Sequence, residues 1–174
     1  MNRVRKVVII GPESTGKSTL SAALAKAFDT VWNPEYAREY LEHLDKEYQE
    51  EDLLKIAKEQ TFREDLLAKT ANNFLFCDTD LYVIKVWSEA KYGHCDKAIL
   101  EEISQRKYDL YLLTDIDIPW QPDPLREHPA PEDRRYFYKQ YLDIVQRSGI
   151  PWINVRGNEM ERLNLGKAAV QALL

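Results

Sequence analysis

A chain of 174 residues is the size of one domain and buries roughly 70% of its unfolded surface on folding. With 44% hydrophobic and 30% charged residues it has the composition of a soluble globular protein. Its formal net charge of −5 argues against a broad nucleic-acid footprint, which needs clustered Lys and Arg, but not against a local basic pocket for a small anion.

Arg5 to Ile10 is a short, β-branched apolar run ending at Gly11, the pattern of a buried strand. From Gly16 the apolar positions Leu20, Leu24 and Phe28 recur at helical spacing among several alanines. Thr30 to Trp32 reads as a second, short strand. Pro34 then stands at the expected first turn of a helix through Tyr40 and Leu44. Asp52 to Thr70 predicts a long amphipathic helix, and Asn73 to Asp78 a buried strand closed by an acid. Leu81 to Lys91 and Asp96 to Lys107 are predicted helices, and Tyr108 to Thr114 another buried strand. The stretch from Asp115 to about residue 135 carries Pro119, Pro122, Pro124, Pro129 and Pro131. It is too long for an ordinary connection and reads as a lid. A helix from Asp133 to Ser148, a strand Pro151 to Val155 and a helix Glu159 to Leu174 follow. Strands alternating with helices imply a single α/β domain, residues 1–174, whose parallel sheet is covered on both faces.

Cys77 and Cys95 match no zinc spacing and make no disulfide framework. The opening MNRVRKVVII is too short to span a membrane and lacks a small-residue cleavage site. The expectation is a cytoplasmic protein with neither a membrane nor a nucleic-acid partner.

Gly11-Pro12-Glu13-Ser14-Thr15-Gly16-Lys17-Ser18 fits G-x-x-x-x-G-K-[ST] in full. Chance supplies that pattern in roughly 1 in 200 chains of this length, and here it also has a buried strand before it and a helix after it. Each fixed position has a physical reason. Gly11 turns the chain sharply off the strand, and Gly16 avoids a Cβ that would collide or restrict φ. The N–H groups of Glu13, Ser14, Thr15 and Gly16 form an anion nest, to which the following helix, with Ser18 and Thr19 in its first turn, adds its positive dipole end. Lys17 neutralises β- and γ-phosphate charge, and the Ser18 hydroxyl suits Mg²⁺. The motif therefore predicts ATP or another nucleoside triphosphate with Mg²⁺. Asp78, closing its strand, stands where the acid beside the metal belongs, and Asp80 is two residues on.

Together these segments resemble a known family. The P-loop, Asn33-Pro34-Glu35-Tyr36-Ala37-Arg38-Glu39, Asp78-Thr79-Asp80 and Pro122-Asp123-Pro124-Leu125-Arg126 occur in this order in the ribosylnicotinamide kinase domain of the bacterial NadR family. The resemblance covers essentially the whole chain. It implies a three-layer P-loop fold like that of nucleoside and nucleotide kinases, with five parallel strands and a lid. It also implies ATP-dependent phosphorylation of nicotinamide riboside to nicotinamide mononucleotide. Larger family members carry an H-x-G-H adenylyltransferase signature. None of His43, His94 and His128 lies in such a motif, so the expected reaction stops at the mononucleotide.

Carried onto this chain, the resemblance makes Glu35, Asp78 and Asp80 rival proton acceptors, with Asp78 preferred as the metal-linked acid. Glu35 is alternatively a ribose ligand, and Arg38 reaches the phosphates or pairs with Glu35. A flat cationic nicotinamide suits an aromatic clamp, for which Trp32, Tyr36, Tyr82, Trp87 and Tyr92 are candidates. Arg126 is the expected lid arginine over the transferring phosphoryl group, ahead of Arg134 and Arg135. The turn Asn154 to Asn158, with Arg156, is expected at the adenine, and Trp120 is a further candidate there. A GTPase reading lacks the N-K-x-D motif. An ATP-sensing module without an acceptor, or a kinase for another nucleoside, remain the alternatives.

Overall fold

The computed structural model describes residues 3–174. Five strands form one parallel sheet: β1 (Arg5–Ile10), β2 (Trp32–Asn33), β3 (Phe74–Asp78), β4 (Leu110–Thr114) and β5 (Trp152–Val155). Their order is β2-β3-β1-β4-β5. Seven helices connect or flank them: α1 (Lys17–Ala27), α2 (Tyr36–Glu42), α3 (Glu50–Leu67), α4 (Leu81–Tyr92), α5 (Lys97–Gln105), α6 (Pro131–Arg147) and α7 (Glu159–Gln171).

The central strands are apolar throughout because both sheet faces are covered. Successive side chains point to opposite faces, and the core divides accordingly. Val7, Ile9, Phe74, Phe76, Leu110 and Leu112 pack with Leu20 and Leu24 of α1 and Val170 of α7. Val8, Ile10, Leu75, Cys77, Tyr111 and Leu113 pack with Val83 and Val86 of α4 and Phe137, Tyr141 and Val145 of α6. Cys77 is a buried free thiol.

Several boundaries differ from the sequence reading. The second strand is Trp32–Asn33 rather than Thr30 to Trp32, because Trp32 and Asn33 are the residues in register with Phe76 and Cys77. Thr30 instead uses its hydroxyl, donating to the Phe74 carbonyl at 2.7 Å and accepting from the Asn72 N–H at 2.8 Å. Pro34 lies before the second helix, whose N-cap is Glu35. The third helix begins at Glu50, where Gln49 and Asp52 form a reciprocal capping box. Pro131 takes the first turn of α6, so the irregular segment is residues 115–130.

The chain leaves central β1 toward β2 on one side of the sheet, and it crosses from β3 over β1 to reach β4 on the other. The strand order reverses there, and a crevice opens at the carboxyl ends of β1, β3 and β4, the usual ligand position in such sheets.

Candidate active site

The crevice is a cleft of about 510 Å³, within the range of small-ligand sites. Gly11 leaves β1 at φ +152°, and a Cβ there would lie 2.3 Å from Thr114 Oγ1 and 2.9 Å from the Thr114 carbonyl oxygen. Backbone cannot yield to that contact, so glycine is required. Gly16 N-caps α1 at φ +76°. A Cβ there would meet nothing nearer than Ile118 Cδ1 at 3.7 Å, so the requirement is the left-handed backbone, not the space.

The loop is braced internally. The Thr15 hydroxyl donates to the Pro12 carbonyl at 2.7 Å and accepts from the Thr114 hydroxyl at 2.7 Å. Lys17 Nζ also donates to the Pro12 carbonyl, at 2.7 Å. Ser18 and Thr19 line the cleft in the first turn of α1.

Two acids stand at the cradle. Asp78, closing β3, is buried and accepts a 2.5 Å hydrogen bond from the Ser18 hydroxyl. Its other oxygen, Oδ1, is buried without a partner. Burial raises its pKa against the opposing pull of Lys17. Glu35, the N-cap of α2, lines the same cleft as Lys17 and Ser18. Burial, and then the charge of Asp78, raise its carboxyl to about 7, again opposed by Lys17.

Asp80 is placed differently. One oxygen accepts from the Tyr82 N–H at 2.9 Å and caps α4; the other accepts from the Tyr111 hydroxyl at 2.7 Å. Burial pushes its pKa up to about 7. Neither Asp78 nor Asp80 is among the cleft-lining residues; the difference is that both Asp80 oxygens are engaged within the protein, whereas Asp78 keeps one without a partner.

The irregular segment lies across the loop. Glu13 turns its carboxylate to the N–H groups of Glu127 and His128, at 3.1 and 3.2 Å. The Gln121 N–H donates to Ser14 Oγ at 2.8 Å. Arg126, which lines the cleft, donates to the Gln121 carbonyl at 2.5 Å and to Ser14 Oγ at 3.4 Å. Arg38 also lines the cleft, but it pairs with Asp123 of this segment and with Glu42 at 3.7 Å. The expected Arg38–Glu35 pair does not form, because Asp123 offers an ionised partner closer to solvent.

Of the aromatic candidates, Trp87 lines the cleft while Trp32, Tyr36, Tyr82 and Tyr92 do not. Tyr36 lies under the Arg63 guanidinium, 4.3 Å from the ring centre. The Tyr92 hydroxyl donates to the Tyr48 carbonyl at 3.1 Å. Arg156 is exposed just past β5 and is not among the lining residues, whereas Gly157 and Met160 are. Leu20 and Ala23 of α1 and Met160 and Leu163 of α7 add apolar side chains to the cleft lining. Thr114, Tyr111, Gln121 and Arg162 were not singled out in the sequence. Their roles depend on partners far along the chain, which no local pattern announces.

Among the described residues no three His, Cys, Asp or Glu side chains gather as a metal cluster. The cradle instead offers one carboxylate oxygen without a partner and one adjacent hydroxyl. That donor set suits Mg²⁺, which is commonly held by one or two protein oxygens together with phosphate oxygens and water. No helix among the described residues is long and apolar enough to cross a membrane.

The sheet order, the glycine-bounded loop and the lysine and serine opening α1 define a P-loop domain with the architecture of small nucleoside and nucleotide kinases. A family model described as "AAA domain" matches residues 6–162, and the chain belongs to that family. It is 32% identical over 157 residues to the trifunctional NAD biosynthesis/regulator protein NadR of Salmonella typhimurium, covering 88% of this chain and 38% of that protein. To the protein of the same name from Escherichia coli it is 31% identical over 162 residues, covering 91% and 40%. The chain thus spans about two fifths of the length of these curated relatives. A crystal structure of NadR protein in complex with NAD and AMP-PNP superimposes with a TM-score of 0.74 at 24% identity, covering 98% of this chain and 49% of that one. Thymidylate kinase from Candida albicans does so with a TM-score of 0.67 at 15% identity, covering 97% and 91%. The resemblance to NadR drawn from the motifs and the five-stranded kinase-like fold are both found.

Proposed function

We propose that this protein is an ATP-dependent nucleoside kinase whose acceptor is nicotinamide riboside and whose product is nicotinamide mononucleotide. The observation that carries the kinase reading is Glu35. A module that only binds nucleotide needs the P-loop and the acid beside Ser18, but it has no use for a carboxylate of raised pKa that lines the cleft with Lys17 and Ser18. A phosphotransferase to an alcohol does, because the acceptor hydroxyl must lose its proton as the new P–O bond forms.

In this reading the N–H groups of the loop and the dipole of α1 hold the triphosphate. Lys17 exchanges the neutral Pro12 carbonyl for phosphate oxygens. Ser18 and Asp78 would hold Mg²⁺, which would supply neutralisation of the β- and γ-phosphate charge. The apolar side chains of Leu20, Ala23, Met160 and Leu163 receive the adenine. Glu35 orients the ribose hydroxyl and takes its proton, and its pKa near neutrality suits that task. Trp87 offers a face for the cationic ring. Arg126, delivered by the lid beside Ser14, adds positive charge over the transferring group. Closing the lid excludes water, so the phosphoryl group passes to the nucleoside and not to solvent. Nicotinamide riboside as acceptor is supported by the identity to the NadR relatives and by the likeness to a crystal structure of NadR protein in complex with NR.

The test is incubation of the purified protein with Mg²⁺-ATP and a panel of nucleosides including nicotinamide riboside, with ADP and product mass followed together. ADP release that requires nicotinamide riboside and yields its 5′-monophosphate is the expected result. Preference for another nucleoside would replace the acceptor but keep the kinase. ADP release indifferent to every nucleoside would make the protein an ATPase or sensor.

A further inference from the structure

Two buried arginines outside the reacting set grip the phosphate loop through its carbonyl groups. Arg162 of α7 is 4% exposed. It donates Nη1 to the Thr15 carbonyl at 2.7 Å, Nε to the Gly157 carbonyl at 2.8 Å and Nη2 to the Asp115 carbonyl at 3.2 Å. The same guanidinium pairs with Asp117, whose other oxygen accepts the Gly157 N–H at 2.6 Å. Arg134 of α6 is 9% exposed and donates Nη2 to the Ser14 carbonyl at 3.2 Å and Nη1 to the Ile118 carbonyl at 3.1 Å.

The geometry of the peptide unit gives these contacts a consequence. In a planar trans peptide the C=O of one residue and the N–H of the next point to opposite sides, and no cis peptide occurs among the described residues. Holding the Ser14 carbonyl therefore turns the Thr15 N–H to the other side of the loop. Holding the Thr15 carbonyl does the same for the Gly16 N–H. Neither N–H donates to an acceptor within the described protein. Buried or half-buried amide donors without partners are otherwise rare, and donors aimed together in this way form an anion site.

We propose that Arg134 and Arg162 are positioning residues that lock the Ser14–Thr15 and Thr15–Gly16 peptide planes with their N–H groups facing the nucleotide phosphates, and that Arg162 ties this cradle to the base loop at Gly157 and to the root of the lid at residues 115–117. The proposal rests on the reading of Gly11 to Ser18 as a phosphate cradle and is independent of the acceptor. Four partners on three segments need the fixed planar fork of an arginine; a lysine ammonium supplies the charge but not the span. Preorganised donors bind without reorganisation at the moment of use, whereas a loop free to rotate these two peptides must be ordered by its ligand.

The experiment compares wild type with Arg162→Lys, Arg162→Met and Arg134→Met. Calorimetric titration with inorganic tripolyphosphate probes the cradle without the base, and thermal unfolding is read alongside. Amide ¹H–¹⁵N shifts of Thr15 and Gly16 report the peptide planes. The expected result is a loss of tripolyphosphate affinity on the order of tenfold to a hundredfold in each variant, together with displaced Thr15 or Gly16 amide signals. Arg162→Lys should fail to restore what Arg162→Met loses. Recovery by lysine would mean that charge alone acts and would overturn the proposal. So would tripolyphosphate affinity within about twofold of wild type in a folded variant. If the Arg162 variants do not fold, Arg134→Met decides, since Arg134 has no carboxylate partner among the described residues. A wild type that takes up no tripolyphosphate would remove the cradle reading and the proposal with it.

Discussion

Glu35→Gln should make the protein more stable and less active, both effects growing as pH rises from 4.5 to about 7. The Glu35 carboxyl is raised from 4.5 to about 7, first by burial and then by the charge of Asp78. A carboxylate with a raised folded-state pKa takes up a proton on folding between the two values, so stability falls as pH rises through that window. Below pH 4.5 the group is protonated in both states and contributes nothing. At 1.36 kcal/mol per pH unit the displacement corresponds to about 3 kcal/mol of destabilisation by the charged form at pH 8. Glutamine has nearly the same shape and no charge, so Glu35→Gln is expected to recover about 1–3 kcal/mol at pH 8 and almost none at pH 4.5. Loss of a general base should meanwhile lower kcat by about 10²–10⁴-fold. Urea unfolding at the two pH values and steady-state kinetics at pH 8 measure the two effects. The wild-type kcat/KM should rise with pH to a plateau, with its midpoint near 7. A variant no more stable than wild type at pH 8, or one retaining activity within about tenfold, would refute the assignment.

Lys17→Ala should remove turnover and weaken tripolyphosphate binding, because no other side chain of the loop brings positive charge to the phosphates; ADP release and calorimetry check this. Asp78→Asn keeps the Ser18 hydrogen bond and the fold but loses the anionic oxygen pair. It should cost at least about a hundredfold in turnover and flatten its dependence on Mg²⁺ concentration. Gly11→Ala drives a Cβ to 2.3 Å from Thr114 Oγ1 and 2.9 Å from backbone; a destabilisation of about 2 kcal/mol or more, seen as a lower unfolding midpoint, is expected. Tyr111→Phe strips Asp80 of its hydroxyl donor and should destabilise by about 1–3 kcal/mol. It should leave the acceptor KM nearly unchanged, because the Asp80 oxygens face partners within the protein and not the cleft lining. A large rise in that KM would return Asp80 to the substrate site.

The sequence by itself determined the central strands, since runs such as Val7 to Ile10 and Leu110 to Leu113 have no charged face and can only be covered on both sides. It also determined the phosphate loop, because the demands on Gly11, Gly16, Lys17 and Ser18 arise within one short turn between a strand and a helix. Asp78 was legible for the same reason: a strand that ends in an acid presents it at the rim of the sheet. The fate of Asp80, Arg38, Arg134 and Arg162 was decided only by the tertiary structure. Asp80 caps α4 locally by accepting from the Tyr82 N–H, but its other oxygen is held by Tyr111, 31 residues away. Arg38 meets Asp123 at a separation of 85, and Arg162 meets Thr15 at 147. A buried polar group must find a partner wherever packing brings one, and its choice is set by which segments meet after the sheet has closed. Sequence spacing carries the local turn and the periodic face, whereas these pairings exist only once β4, α6 and α7 lie against the loop.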